Sequence, residues 1–258
     1  MKINHKNTIN RRDEIVRLIT KYRKVRVDEL SERFQVSEVT IRNDLSFLEK
    51  KGILHRSYGG ALIKDSVALD ESIFEKVKMH AEEKDRIGKA AAELIFDGDA
   101  IILDSGTTTS AIVKYIKNRK NLTILTNAVN IASELAGLSD IEVLLTGGIL
   151  RKKSFSLVGP QAEQILRSYY FDKVFLGVDG FDLSFGLTTP NYLEAQLNKL
   201  MVEMSKQVIA VADSSKFNRQ SLCLITKPTT IDKVITDNNI SDDQLKGLKE
   251  LGIETILV

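Results

Sequence analysis

The sequence predicts two units of different class: a small α+β head, then a larger α/β body with a mostly parallel sheet. Three observations carry this. The charge divides unevenly: residues 1–60 hold 14 Lys/Arg against 8 Asp/Glu, and residues 61–258 hold 23 against 27, so a chain of net charge +2 joins a +6 piece to a −4 piece. Helical spacing of apolar residues dominates the first fifty residues and gives way to a short hairpin pattern. Beyond about residue 80, short apolar runs alternate with amphipathic stretches, the pattern of a parallel sheet covered by helices. The 258 residues are 43% hydrophobic and 28% charged, enough for a substantial core and far from a disordered composition. A lone Cys223 excludes an internal disulfide framework and a cysteine-based metal cluster, and with no secretory leader in Met1–Asn10 it leads us to expect a cytoplasmic protein. The apolar runs fall well short of the roughly 20 residues of a membrane span, so no membrane partner is expected.

In the head, Ile15, Leu18, Ile19 and Tyr22 recur at helical spacing. Leu30 and Phe34 mark a second, short helix over Asp28–Phe34. Gln35-Val36-Ser37 reads as a turn, with Ser37 an N-cap for a third helix from Glu38 to about Lys51. Its apolar stripe is Ile41, Leu45 and Leu48, and Gly52 stops it. Ile53–Arg56 and Ala61–Ile63 flank Ser57-Tyr58-Gly59-Gly60 as a β-hairpin. Two short helices across a tight turn, followed by a hairpin, make a winged helix-turn-helix over residues 1–60. Residues 61–80 read as a linker with short helical turns, and 81–258 as the body.

The third helix is where DNA reading is expected. Its polar face carries Glu38, Thr40, Arg42 and Asn43. Such a helix enters the major groove with its N-terminal residues toward base edges, where Arg pairs with guanine and Asn with adenine. Ser37 and Thr40 suit phosphate contacts at the helix N-terminus. Arg56 and Tyr58 on the hairpin suit the backbone or minor groove, and Arg11, Arg12, Lys21, Arg23, Lys24 and Arg26 suit longer-range attraction. An ordinary helical domain with solvated basic residues fits the same pattern.

In the body, buried strands are expected at Ile101–Leu103, Leu122–Leu125, Ile141–Leu145, Val174–Val178, Val208–Ala212, Val234–Ile235 and Ile253–Val258. Helices are expected at Glu82–Phe96, Thr108–Lys117, Asn130–Ala136, Pro160–Leu166, Tyr192–Ser205 and Asp242–Leu251. Five strand ends run into small, polar or acidic residues. The first, Asp104-Ser105-Gly106-Thr107-Thr108-Thr109, places hydroxyls and helix N-terminal N–H groups where an anion, most simply a phosphate, is held; it lacks the Gly-Lys-Ser/Thr end of a Walker A loop. The others are Thr126-Asn127, Thr146-Gly147-Gly148 with Arg151, Asp179-Gly180-Phe181-Asp182, and Asp213-Ser214-Ser215-Lys216. Ligands of open α/β sheets lie outside the carboxyl ends of the strands, so these loops are expected to meet at one crevice. Lys216 would neutralise phosphate, Asp104 and Asp179 would accept from sugar hydroxyls, and Arg151 would serve a ligand or an interface.

The motifs of both units resemble one family. Val36-Ser37-Glu38-Val39-Thr40-Ile41-Arg42-Asn43-Asp44-Leu45, Leu48–Gly52 and Tyr58-Gly59-Gly60-Ala61 resemble the signature of the DeoR family of bacterial sugar-metabolism regulators. The usual family form has Arg in place of Asn43; the form seen in this chain is similar to the AgaR-like subgroup of N-acetylgalactosamine and amino-sugar operon regulators. Asp104–Thr109, Thr146–Gly148, Gly177–Gly180, Gly186–Thr189 and Ala212–Phe217 match the family's effector domain, which is similar in fold to ribose-5-phosphate isomerase and CoA transferases. The resemblance implies a repressor that binds double-stranded operator DNA and is released by a phosphorylated sugar, with Thr188 and Glu194 in the effector site. Many members carry Lys where this chain has Asn198, so the resemblance implies no ligand lysine there.

Two other readings stand beside this one. Asp179, Asp182 and Glu194 are the carboxylates a sugar-phosphate isomerase would need, although the chain reads Asp179-Gly180-Phe181-Asp182-Leu183, short of the isomerases' Asp-Gly-Ala-Asp-Glu run. A DNA-binding protein whose body only oligomerises is the third. His5, His55 and His80 are dispersed, so no metal site or cofactor is expected, and Cys223 reads as packing. A homo-oligomer is expected, dimer or tetramer, because one small head reads few base pairs.

Overall fold

The structure, a computed structural model, describes residues 5–22, 24–50, 54–57, 59–63 and 70–258. It divides into two compact units, Met1–Ser66 and Val67–Val258.

The head contains α1 (His5–Tyr22), β1 (Lys24–Arg26), α2 (Val27–Phe34), α3 (Glu38–Lys50), β2 (Leu54–Ser57) and β3 (Gly60–Ile63). Gln35 takes the left-handed conformation (φ 50°) that ends α2, and Ser31 donates its hydroxyl to the Val36 carbonyl at 2.6 Å, tightening the turn before α3. Ser37 caps α3 by accepting from the Thr40 N–H at 3.2 Å. Ile15, Ile19, Leu30, Ile41, Leu45, Leu48 and Leu54 share one buried cluster, so the 3.6-residue stripes of all three helices meet. The expected hairpin is present as β2 and β3, with Ser57 opposite Gly60. The sequence reading missed β1, which pairs antiparallel with β3 and makes the wing three-stranded, in the order β1-β3-β2. Three residues with one buried position, Val25, give too short an alternation to read as a strand.

The body opens with α4 (Ile73–Lys76) and α5 (Ala81–Glu93). It continues through β4 (Ala100–Leu103), α6 (Thr107–Ile116), β5 (Leu122–Thr126), α7 (Val129–Leu135), β6 (Ile141–Leu145), β7 (Ile149–Arg151), β8 (Ser156–Val158), α8 (Pro160–Leu166) and β9 (Phe171–Gly177). Then come β10 (Gly180–Asp182), β11 (Gly186–Thr189), α9 (Tyr192–Glu203), β12 (Ser205–Val211), β13 (Cys223–Thr226), β14 (Lys233–Thr236), α10 (Asp242–Glu250) and β15 (Glu254–Leu257). All seven expected strands join one sheet in the order β15-β14-β12-β9-β4-β5-β6, every pair parallel. The runs are apolar throughout because both faces are covered: Ile102, Leu125, Val174 and Ala210 pack into one cluster, while Ile101, Leu103, Ile124, Phe175 and Ile209 pack into the other. Residues 70–80, expected as linker, lie in this unit; Ile73 is buried and donates its N–H to the Lys153 carbonyl at 2.7 Å.

The strand order positions the site. From β4 the chain builds outward through β5 to β6, and from β9 it builds the opposite way through β12, β14 and β15. The reversal between β4 and β9 opens a crevice at their carboxyl ends, where Leu103 lies beside Phe175 and Gly177 beside Val211. Two small additions were not legible in the sequence: the β7–β8 hairpin, and a three-stranded antiparallel sheet in the order β10-β11-β13.

Candidate functional site

In the head, α3 turns its apolar stripe inward and leaves Glu38, Val39, Arg42 and Asn43 exposed, the face the sequence assigned to base reading. The exposed Val39 was not anticipated as part of that face; an apolar side chain there suits a thymine methyl. Arg42 lies 2.5 Å from Glu38 in an exposed pair one turn apart, a contact weak enough to exchange for a base edge. Thr40 is half-buried and its hydroxyl shares a 2.9 Å hydrogen bond with that of Ser37, so the two form one capping unit at the helix start. Arg56 is exposed on β2, and its N–H donates to Glu49 at 2.8 Å. Tyr58 lies outside the described residues, as do the side chains of Lys21 and Arg23. Arg11 and Arg12 are not solvated attractors: both close on the buried Asp44, at 2.6 and 2.7 Å, and so pin α1 to α3. Arg26 pairs with Asp28 at 2.7 Å.

In the body, the loops after β4, β9 and β12 line a pocket at the switch point. Asp104, Ser105, Gly106, Thr107, Thr108, Asp179, Glu194 and Lys216 all face it, joined by Glu71, Ile73, Lys76, Lys84, Ser154, Gly177, Val178, Thr189 and Asn198. Gly106 sits at φ 147°, where side-chain-bearing residues are strained, and frees the N-terminus of the ten-residue α6 to open on the pocket. The first N–H groups of α6 have no intrahelical partner. Asp213 accepts from the Ser215 N–H at 3.2 Å, and this short turn presents Lys216. Among the described residues, no carboxylate oxygen lies within 4 Å of the Lys216 or Lys84 ammonium groups. Lys84 is 5% exposed and donates to the Lys76 and Met79 carbonyls, each at 2.6 Å. Burial lowers the Lys84 pKa to about 8, and burial lowers that of Lys216 as well.

Opposite this cationic end stand acceptors. Asp104 is 1% exposed and receives the N–H groups of Ser105 (2.6 Å) and Gly177 (3.3 Å) and the Asn198 amide (3.1 Å). Burial, reinforced by the Glu194 charge, raises its pKa to about 8. Burial works in the same direction on Asp179, but Lys76 at 2.5 Å and the charge of Lys216 outweigh it and hold Asp179 below the usual carboxylate range. Glu194 accepts from the Ser156 hydroxyl at 2.7 Å and lies 2.5 Å from Arg151. Among the described residues, no group of three or more His, Cys, Asp or Glu is placed to hold a metal ion.

Six residues expected at the site lie away from the pocket. Thr109 is fully buried and donates its hydroxyl to the Gly106 carbonyl at 3.0 Å, shaping the loop from behind. Asn127, after β5, is fully buried. Gly147 and Gly148 make the β6–β7 turn, and a side chain at Gly148 would meet the Val158 carbonyl at 2.6 Å. Thr188 is in the core, receiving the Ser221 N–H at 2.8 Å; its neighbour Thr189 takes the pocket position, because successive strand residues face opposite ways. Arg151 stands behind Glu194 and reaches Asp70 at 2.8 Å. The loops after β5 and β6 lie on the far side of β4 from the switch point, so neither lines the pocket, although Asn127 supports the Asp104 carboxyl from behind. Asp182 instead closes a turn, accepting from Ser184 and Phe185. Cys223 packs half-buried against the core. Lys76, Lys84, Glu71 and Ser154 come from segments with no motif, so only the fold reveals them.

Comparison with known proteins gives the family. The description "DeoR-like helix-turn-helix domain" matches residues 11–67, and "DeoR C terminal sensor domain" matches residues 79–238. The "Putative aga operon transcriptional repressor" of Escherichia coli O157:H7 is 46% identical over 97% of this chain and 94% of its own length. The glycerol-3-phosphate regulon repressor of Escherichia coli K12 is 32% identical over 88% of this chain and 90% of its own. Ribose 5-phosphate isomerase A from Neisseria gonorrhoeae covers 53% of each chain at 14% identity and a TM-score of 0.40, too distant a likeness to bear on function. The chain belongs to the DeoR family. It is a helix-turn-helix transcriptional repressor, not an enzyme. No helix among the described residues is long and apolar enough to cross a membrane.

Proposed function

We propose that the chain represses a sugar or amino-sugar catabolic operon, and that a phosphorylated sugar bound at the β4–β9 crevice releases it from operator DNA. The observation that carries this is the pair Lys84 and Lys216, two buried cations beside the open N-terminus of α6 that have no carboxylate oxygen within 4 Å among the described residues. Taking cations out of water costs free energy unless an anion joins them, and a helix N-terminus adds attraction for that anion. The remaining acceptors, Asp104, Asp179, Glu194 and Asn198, suit the hydroxyl and amine donors of a sugar. The names of the relatives point the same way, one to an aga operon and one to a glycerol-3-phosphate regulon.

In this reading Arg42 and Asn43 read bases, Glu38 borders them, Ser37 and Thr40 fix phosphates at the start of α3, and Arg56 and Tyr58 reach the backbone. Two heads in a homo-oligomer read a repeated site. Effector binding shifts the protein only by its differential affinity for the DNA-competent and DNA-incompetent states.

The test is thermal denaturation against matched phosphorylated and unphosphorylated sugars. A ligand at 100 times its Kd stabilises by about 2.7 kcal/mol, which is about 5–10 °C for a unit of this size. Equal shifts for a sugar and its phosphate would sink the phosphate assignment.

A further inference from the structure

Residues 70–79 form a strap along the pocket, in the stretch between the two matched family spans, 11–67 and 79–238. The strap is held at both ends by the body. Arg151 grips Asp70 at 2.8 Å, Lys153 donates to the Asp70 carbonyl at 3.0 Å and accepts the Ile73 N–H at 2.7 Å through its own carbonyl. At the far end, Lys84 holds the Lys76 and Met79 carbonyls. Ser72 and Glu75 cap α4 reciprocally, and Phe74 packs edge-on against Phe155 at 5.4 Å between centroids. Between these anchors the strap sends three side chains to the pocket: Glu71, Ile73 and Lys76.

The two charges differ in what an incoming phosphate would do to them. Lys76 is already spent on Asp179, at 2.5 Å, in a pair that is mostly buried. Glu71 has no cation within 4 Å among the described residues, and it stands in a pocket lined by Lys76, Lys84 and Lys216. A phosphate at the α6 N-terminus therefore attracts one strap residue and repels the other. We infer that Lys76 is a ligand-contacting residue: it exchanges Asp179 for the phosphate of the sugar, Asp179 turns to the sugar hydroxyls, and the strap closes as the signal of occupancy. In the exchange Lys76 gains the phosphate charge, while Asp179 keeps the nearby Lys216 charge and the Thr189 hydroxyl and gains the sugar hydroxyls. The strap is the first described part of the body in chain order. This inference rests on the phosphosugar reading of the pocket.

Hydrogen exchange of the full chain, with and without saturating galactosamine 6-phosphate and glucosamine 6-phosphate, tests it. Expected is slower exchange in both the 104–109 loop and the 73–79 strap, by at least about fivefold in the strap, the lower end of ordinary coupling. Lys76→Gln keeps the loop response, loses the strap response and weakens binding; Lys76→Arg, which keeps the charge, restores the strap response. Glu71→Gln tightens binding. Protection of the loop with an unchanged strap would overturn the strap assignment alone, as would wild-type affinity in Lys76→Gln. Protection of neither by any phosphosugar would overturn the pocket reading and this one with it.

Discussion

Replacing Arg151 by Met separates a residue that contacts ligand from one that supports the site. Arg151 is 13% exposed and bridges two carboxylates, Glu194 at 2.5 Å and Asp70 at 2.8 Å. Glu194 is 7% exposed; without the guanidinium it keeps the Ser156 hydroxyl at 2.7 Å and a long contact to Thr189, and among the described residues no cation within 4 Å. Asp70 is better placed, because Lys153 remains 3.5 Å away. Removing one partner of a buried pair costs about 3–5 kcal/mol, and the partial exposure of Asp70 puts this case at the lower end. About 3 kcal/mol corresponds to a fall in Tm of about 6–12 °C for a unit of this size. Scanning calorimetry of the full chain reads that shift in the body's transition. The cause is then checked with the Arg151→Met/Glu194→Gln double variant. If the cost is an uncompensated carboxylate, removing the carboxylate recovers most of it, a strong non-additivity between touching residues. A single variant within about 1 kcal/mol of wild type, or a double variant no more stable than the single, would refute the argument that Arg151 acts through Glu194.

Three further outcomes are expected. Arg42→Ala costs about 1–3 kcal/mol in specific operator binding and leaves the melting temperature unchanged, since its one ion pair among the described residues is the exposed one with Glu38; gel shifts with operator and scrambled DNA check it, and an unchanged ratio refutes base reading. Lys216→Met leaves operator binding intact and removes the response to phosphorylated sugars in a fluorescence titration of labelled operator; a normal response places the phosphate elsewhere. Asp104 has a native pKa raised to about 8, so the native state holds a proton that the unfolded chain releases near pH 4. Stability of the body therefore falls as pH rises from about 5 to 8, and Asp104→Asn flattens that slope; an identical slope in variant and wild type would show that another group carries it.

Much of the fold was readable in advance, for identifiable reasons. The α3 stripe of Ile41, Leu45 and Leu48 admits one helical face, and Ser37 marks where it starts. The seven sheet strands are short apolar runs because both faces of a parallel sheet are buried, and such runs stand out against charged helices. Strand β1 and the β10-β11-β13 sheet left no such mark, since three or four residues at an antiparallel edge alternate too briefly. At the pocket, the Asp104–Thr108 and Lys216 lining was legible because glycine, hydroxyls and a helix start at a strand end stand out locally. Lys84 looks from its neighbours like any surface lysine on an amphipathic helix, yet it is one of the most buried charges in the chain.

The sequence by itself determined the two units, their classes, the exposed polar face of α3 and the glycine-hydroxyl loop after β4, because each depends on spacing within one segment. Which strand ends meet is a different kind of fact. The parallel strand order decides it: β4 and β9 are neighbours although some seventy residues separate them, and the reversal between them opens the crevice to the loops after β4, β9 and β12 while the loops after β5 and β6 lie to one side. The same long-range packing buries Arg11 and Arg12 against Asp44, moves Arg151 behind Glu194, and brings Lys76 from an apparent linker onto Asp179. Charge pairing is set by distance in space, which local sequence does not encode.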